Sequence, residues 1–202
     1  MSENTTLEFY NKNAAEYCAG TKNIDMSEAY TRFIAFLPEE AYVLDFGCGS
    51  GRDSKYFLSK GYRVTAIDGS SEMCKLASDY IGQEVECMRF DQLSVDSKYD
   101  GIWACSSILH VEKESLPEIL RKMVKALKVG GIIYTCFKYG SGFEEKDGKY
   151  YNKMTTEEFT RMLNDYVPGA ELVESYNNET YQGAVGKSTS EWINFLIKKI
   201  EI

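Results

Sequence analysis

The stretch VLDFGCGSGRD, Val43 to Asp53, decides how the chain is read. An apolar run of strand type reaches Asp45 and then passes through glycines at every second position, Gly47, Gly49 and Gly51. A helical pattern follows. Glycines spaced this way let the backbone turn sharply and let a ligand approach main-chain atoms with no side chain between. Such a loop also delivers a ligand to the N-terminus of the next helix, where free N–H groups favour an anionic group.

Outward from this stretch the pattern alternates. Tyr42 to Phe46 reads as the first strand, Arg63 to Asp68 as the second, Val85 to Phe90 as the third, Gly101 to Ser106 as the fourth and Ile132 to Phe137 as the fifth. Helices are expected from Asp53 to Ser59, closed at Gly61, and from Ser70 or Ser71 to about Tyr80. Another starts near Ser115, tolerates Pro117 in its first turn and ends at Gly130-Gly131. Short β-branched and aromatic runs separated by helices predict a parallel sheet with helices on both faces.

Before the stretch, Leu7, Tyr10, Ala14 and Tyr17 predict an amphipathic helix from Thr5 to about Cys18. Asp25 and Glu28 have the spacing of a capping box, and Pro38 stops the helix that carries Tyr30, Phe33, Ile34 and Leu37. After the fifth strand, residues 139–153 form a polar excursion compatible with a hairpin and able to cover a pocket. Thr155 and Glu158 cap a further helix, and Glu171–Tyr176 and Glu191–Lys199 read as two strands. The link between them has no helical periodicity, so an antiparallel hairpin is expected.

A chain of 202 residues is read as one domain with room for a substantial core. Its net charge of −8 counts against non-specific binding to nucleic acid or anionic membranes. No apolar run approaches spanning length, and the polar, acidic start MSENTTLEFY has no signal-peptide pattern, so a cytoplasmic location is expected. The six cysteines contain no C-x-x-C pair, and the chain has a single His. Reduced thiols and no metal site are therefore expected.

Three acids end three successive strands. Asp45 precedes the glycine loop; Asp68 can accept hydrogen bonds from ribose hydroxyls, or cap the next helix; Asp91 can accept an adenine amine, or serve as a turn residue. All fall at the carboxyl edge of the sheet, where open α/β folds bind ligands. The glycine spacing departs from the dinucleotide pattern and suits a nucleoside with an amino-acid tail, whose ammonium Asp45 can face. Arg52, a cation at a helix start, calls for an acidic partner, either Asp53 or a cofactor carboxylate.

VLDFGCGSGRDS, VTAIDGSSEM, RFDQL, YDGIWACSSILHV and LKVGGIIYTCFK, in this order, resemble a class I S-adenosylmethionine-dependent methyltransferase. The similarity runs from about Tyr10 to the C-terminus and, more narrowly, resembles small bacterial methyltransferases often labelled tellurite-resistance-like. The resemblance implies a Rossmann-like, doubly wound α/β fold with a seven-stranded, mostly parallel sheet in the order 3-2-1-4-5-7-6, strand 7 antiparallel, and N-terminal lid helices over residues 1–38. It implies S-adenosylmethionine as cofactor and S-adenosylhomocysteine as product. Gly47 and Gly49 would contact the methionine part, and Asp68, Gly69 and Met73 the adenosine. Asp91 and Gln92 would face the adenine edge, and the backbone of Cys105 and Ser106 would lie near the methyl. Tyr10 and Tyr17 match lid tyrosines, although a core-facing stripe fits them equally.

His110, just after the fourth strand, is a candidate base if the acceptor must lose a proton, or a residue packed at a junction. Trp103 and Trp192 are expected in the core. Family sequences carry arginines before the final strand; here that link, NETYQGAVGKST, has only Lys187, which weakens any role for it in binding anions. The expected activity is methyl transfer to a small molecule by a monomer or homodimer. RNA or protein acceptors, a catalytically silent cofactor-binding module and a nicotinamide dehydrogenase are the competing readings.

Overall fold

β1 (Tyr42–Phe46) and β2 (Arg63–Asp68) have the bounds their residues predict and pair in parallel, from Tyr42 with Arg63 to Phe46 with Ile67. They belong to a computed structural model that describes residues 2–178 and 191–201, with side chains from residue 5. β3 is Glu86–Cys87, β4 Tyr99–Ala104, β5 Leu127–Tyr139, β8 Ala170–Asn178 and β9 Trp192–Lys199. Hydrogen bonding orders them β3-β2-β1-β4-β5-β9-β8, with β9 antiparallel to both neighbours. This is the expected order with the last strand reversed. The excursion is a hairpin, β6 (Phe143–Lys146) and β7 (Lys149–Met154), which brings the strand count to nine. β4 ends opposite Thr135, so the tip of β5 lacks a neighbour on that side, and β7 pairs there with Lys138 and Tyr139.

Consecutive β4 residues Ile102, Trp103 and Ala104 are all fully buried. Alternate strand side chains point to opposite faces, so both faces of the sheet are covered. Phe33 of α2 (Ser27–Ile34) and Phe57 of α3 (Arg52–Ser59) pack on Trp103, with ring centroids 5.2 and 5.4 Å away. Burying each such ring contributes about 1.5–3 kcal/mol. α5 (Leu116–Ala126) adds Ile119, Leu120 and Met123 to the same core, and α6 (Thr156–Tyr166) adds Phe159 and Leu163.

Four local expectations are corrected. The third strand is two residues long, because β2 ends at Asp68 opposite Cys87 and leaves nothing further to pair with; Phe90–Gln92 form a 3-10 turn instead. The α5 helix ends at Ala126, not at the glycines. Lys199 Nζ donates to the Leu127 carbonyl at 2.6 Å, and Gly130 and Gly131 sit inside β5 where the pairing with β4 shifts register. Asp25 forms no capping box: its carboxylate accepts the Ser27 N–H at 2.9 Å, while Met26 occupies the cap position. The first helix, α1, is longer than expected, Ser2–Thr21, and kinks at Asn13. By contrast, Ser70 caps α4 (Ser71–Ile81) and Thr155 caps α6 through their hydroxyls, as their sequence positions predict. Residues 179–190, most of the link with Lys187, lie outside the described residues. Among the described residues no helix is long and apolar enough to cross a membrane.

Candidate active site

Gly47 and Gly49 have φ of 85° and 53°, a region that L side chains rarely adopt. A Cβ on Gly47 would lie 2.5 Å from Cβ of Ser107 and 3.1 Å from the Phe90 ring; one on Gly49 would lie 3.6 Å from Tyr17. The loop is held from behind by β2. The N–H groups of Gly47 and Cys48 both donate to the Ile67 carbonyl, at 3.0 and 2.9 Å, and the Gly49 N–H donates to Asp68 Oδ2 at 2.9 Å. Asp68 Oδ1 accepts the Ser70 N–H at 2.9 Å. Burial raises the Asp68 pKa, and these N–H groups oppose the rise.

Arg52 finds its partner in Asp53. Nε and Nη2 donate to the two carboxylate oxygens at 2.6 and 2.8 Å. Asp53 also accepts hydrogen bonds from Tyr30 Oη and, at 2.8 Å, from Trp103 Nε1. Burial works against the Asp53 charge, but Arg52 and these donors outweigh it and hold the carboxyl below its ordinary range. Asp45 lies behind the loop, buried, with the Ser54 hydroxyl 2.6 Å from its Oδ2. Burial first, and the Asp53 charge second, push its pKa well up.

α1 roofs this edge of the sheet. Its Leu7 covers Gly69, whose Cβ would meet Leu7 at 2.8 Å; Asn11 Oδ1 accepts the Ser70 hydroxyl at 2.7 Å; and Thr21 Oγ1 donates to Ser50 at 3.1 Å. Met73 is buried against Cys18 of the same helix. Tyr10 and Tyr17 stand edge to face with centroids 5.1 Å apart, and burial raises both hydroxyl pKa values, that of Tyr17 to about 12.

On the far side, β4 ends before Cys105 and Ser106 because Ser106 leaves extended geometry, with φ of 52°. A 3-10 turn, Ile108–His110, then buries His110. His110 Nδ1 lies 2.6 Å from the Tyr150 carbonyl, which can only accept, so Nδ1 carries the proton. Nε2 is then the acceptor, and Tyr10 Oη, 2.9 Å away, is its donor. Burial lowers the His110 pKa to about 4.

These elements enclose one cavity of about 580 Å³, within the range of small-molecule sites. Of the residues expected at the site, Tyr10, Tyr17, Gly47, Gly49, Arg52, Asp68, Gly69, Met73, Cys105, Ser106 and His110 border it. Asp45, Asp91 and Gln92 do not. Asp91 is exposed and pairs with Arg89 at 3.4 Å, and the Gln92 side chain accepts the Arg89 N–H at 2.8 Å. Trp103 is core, as expected; Trp192 is buried but also touches the cavity. Phe90 and Ser107 are unforeseen wall residues, whereas Lys149 and Tyr151 belong to the excursion expected to cover a pocket.

A family of methyltransferase domains matches residues 43–131. An uncharacterized methyltransferase of Staphylococcus carnosus is 27% identical over 169 residues, 79% of this chain and 80% of that protein. The chain is thus similar to methyltransferases over residues 43–131 and, at 27% identity, over most of its length. A probable S-adenosyl-L-methionine-dependent methyltransferase TehB of Haemophilus influenzae is 27% identical over 62% of this chain and 46% of its own length. For several curated relatives the match spans about half of their length or less, 53% and 41% in two cases. Among solved structures, the Burkholderia thailandensis 1,6-didemethyltoxoflavin-N1-methyltransferase has a TM-score of 0.73 at 22% identity, covering 87% of this chain and 78% of its own. It holds S-adenosylhomocysteine and 1,6-didemethyltoxoflavin.

S-adenosylmethionine is the cofactor that this similarity implies, and the residues present fit it. Asp68 offers a carboxylate at the cavity beside a loop that a Cβ would fill. The Ser107 hydroxyl is buried at the same wall with no hydrogen-bond partner among the described residues.

Proposed function

We propose that the protein transfers the methyl group of S-adenosylmethionine to a small-molecule acceptor held in the same cavity. The observation that carries this reading is one continuous cavity running from the glycine loop and Asp68 to His110 and the hairpin. In the Burkholderia neighbour a small heterocycle accompanies the cofactor product, which agrees with such a space.

The cofactor supplies a methyl already activated by a positive sulfur. The work of the chain is therefore alignment and exclusion of water, and holding reactants in line can supply about 7–11 kcal/mol of a barrier. Asp68 would accept the ribose hydroxyls, with Gly69 and Met73 against the adenosine and the Phe90 ring beside it. Gly47 and Gly49 would admit the amino-acid tail under Tyr10 and Tyr17. The backbone at Cys105 and Ser106 would border the reacting centre. Arg52 borders the cavity with its guanidinium tied to Asp53, while Asp45 acts from behind the loop through Ser54.

His110 is better assigned as a positioning residue than as a direct base. Its Nε2 lone pair is occupied by Tyr10, and a group whose pKa is lowered to about 4 takes up a proton weakly at neutral pH. It holds the Tyr10 oxygen at the cavity wall. The unpaired cysteines support a reducing, cytoplasmic setting, and the net charge of −8 supports an acceptor other than nucleic acid.

Calorimetric titration with S-adenosylhomocysteine tests the donor half of this reading. Micromolar binding is expected, followed by release of S-adenosylhomocysteine from S-adenosylmethionine in a screen of small acceptors. No binding would sink the reading; turnover on tRNA alone would replace the acceptor class.

A further inference from the structure

Lys149 opens β7 and reaches into the cavity, half-buried. Its ammonium stands 4.1 Å from the ring centroid of Phe9, 5.9 Å from that of Tyr10 and 5.7 Å from that of Tyr151. Among the described residues no carboxylate forms an ion pair with it, whereas Lys138 and Lys153 share Glu144 at 3.3 and 3.4 Å. Burial disfavours its charge, and the nearby Lys138 and Lys146 add repulsion; Asp147 is the opposing charge. Ring faces attract a cation but do not replace a counter-ion in a desolvated site.

The surroundings restrict what that counter-ion can be. Arg52 is committed to Asp53 on the donor side, so it leaves no strong demand for an anion there. Lys149 stands instead with Tyr151, whose ring lies 4.9 Å from His110, and Lys138 lies over the same Tyr151 ring at 4.1 Å. Two ammonium groups thus flank one aromatic wall of the cavity. A planar acceptor against that wall would bring an anionic oxygen to Lys149.

We propose that Lys149 is the anion-binding group of an acceptor subsite, and that the acceptor is a small molecule carrying a carboxylate beside an apolar or aromatic body. This rests on the methyl-transfer reading and narrows it. The acceptor's charge is recognised by the hairpin; its nucleophile lies elsewhere on the molecule, facing the Cys105–Ser106 edge.

The test uses the whole protein saturated with S-adenosylhomocysteine and titrates it with benzoate and, separately, with benzamide, which has the same ring without the charge. Wild type is expected to prefer benzoate by about tenfold or more, and Lys149→Met to erase that preference. Lys149→Arg should keep most of it, and the affinity of Lys149→Met for S-adenosylhomocysteine should stay close to that of wild type. Equal binding of the two probes, or no benzoate binding, overturns the proposal. So does a preference that survives in Lys149→Met, or a loss of S-adenosylhomocysteine affinity as large as the loss for benzoate, which would assign Lys149 to the cofactor. If wild type fails to bind S-adenosylhomocysteine, the methyl-transfer reading falls by itself. The benzoate and benzamide titrations of the ligand-free protein then judge Lys149 by the same outcomes.

Discussion

Around the glycine loop, Arg52 is held by Asp53, and Asp68 is held by the N–H groups of Gly49 and Ser70. Around His110 and the β6–β7 hairpin, an ammonium faces rings and an imidazole is kept neutral. The first region carries its polar partners within itself. In the second, Lys149 has no carboxylate in ion-pair contact among the described residues, Asp147 acting only from a distance. A donor that is always the same molecule favours a finished site, whereas the acceptor region leaves one interaction to be completed by its ligand.

The largest expected effect comes from breaking the first region. Asp53→Ala strands the Arg52 guanidinium, the Tyr30 hydroxyl and the Trp103 indole N–H in the interior. Removing one partner of a buried pair costs about 3–5 kcal/mol, so denaturant unfolding should show a loss of that size. A loss below about 1 kcal/mol would mean that the region does not depend on its ion pair.

The second region responds to acid. The folded His110 pKa, about 4, lies below its ordinary value near 6.5. The unfolded chain therefore takes up a proton first. The stability that neutrality provides is complete above about pH 6.5 and is lost progressively as pH falls toward 4, a total of about 3 kcal/mol. Unfolding of wild type and His110→Gln at pH 7 and near pH 4 separates this from other titrations: the variant should lose less by roughly that amount. Parallel losses in the two proteins would show that His110 is not held neutral.

The smallest effect sharpens the boundary between the regions. Tyr10→Phe removes the donor to His110 Nε2 and leaves a buried acceptor unsatisfied, at a cost of about 1–2 kcal/mol. The Tyr10 ring stays, so packing against Tyr17 is retained. Thermal denaturation should show this modest loss; a loss of several kcal/mol would make Tyr10 a core residue first.

The contrast also explains what was legible in the sequence. Gly47, Gly49, Asp53 and Asp68 follow one another along the chain, and their roles arise from a strand, a turn and a helix start that local pattern encodes. The acceptor side joins Tyr10, His110 and Lys149, which are far apart in sequence, and no periodicity states that they meet. Asp91 misled for a related reason. Residue type placed it at the end of a strand, but an edge strand with one short neighbour stops early, and the chain turns Phe90, not Asp91, toward the loop. At Gly130 the composition suggested a helix stop, whereas pairing with β4 before and after the glycines, at Leu127 and Ile132, carries the strand through them.

The Trp103 indole N–H ends on the same carboxylate that holds Arg52, and its ring lies over Tyr134 at 4.0 Å. The only other indole in the chain, Trp192, touches the cavity. The protein thus contains two indole fluorophores, one reporting on the ion pair behind the loop and one on the ligand space. With single replacements to separate them, emission from each region can be followed in real time without attaching a dye.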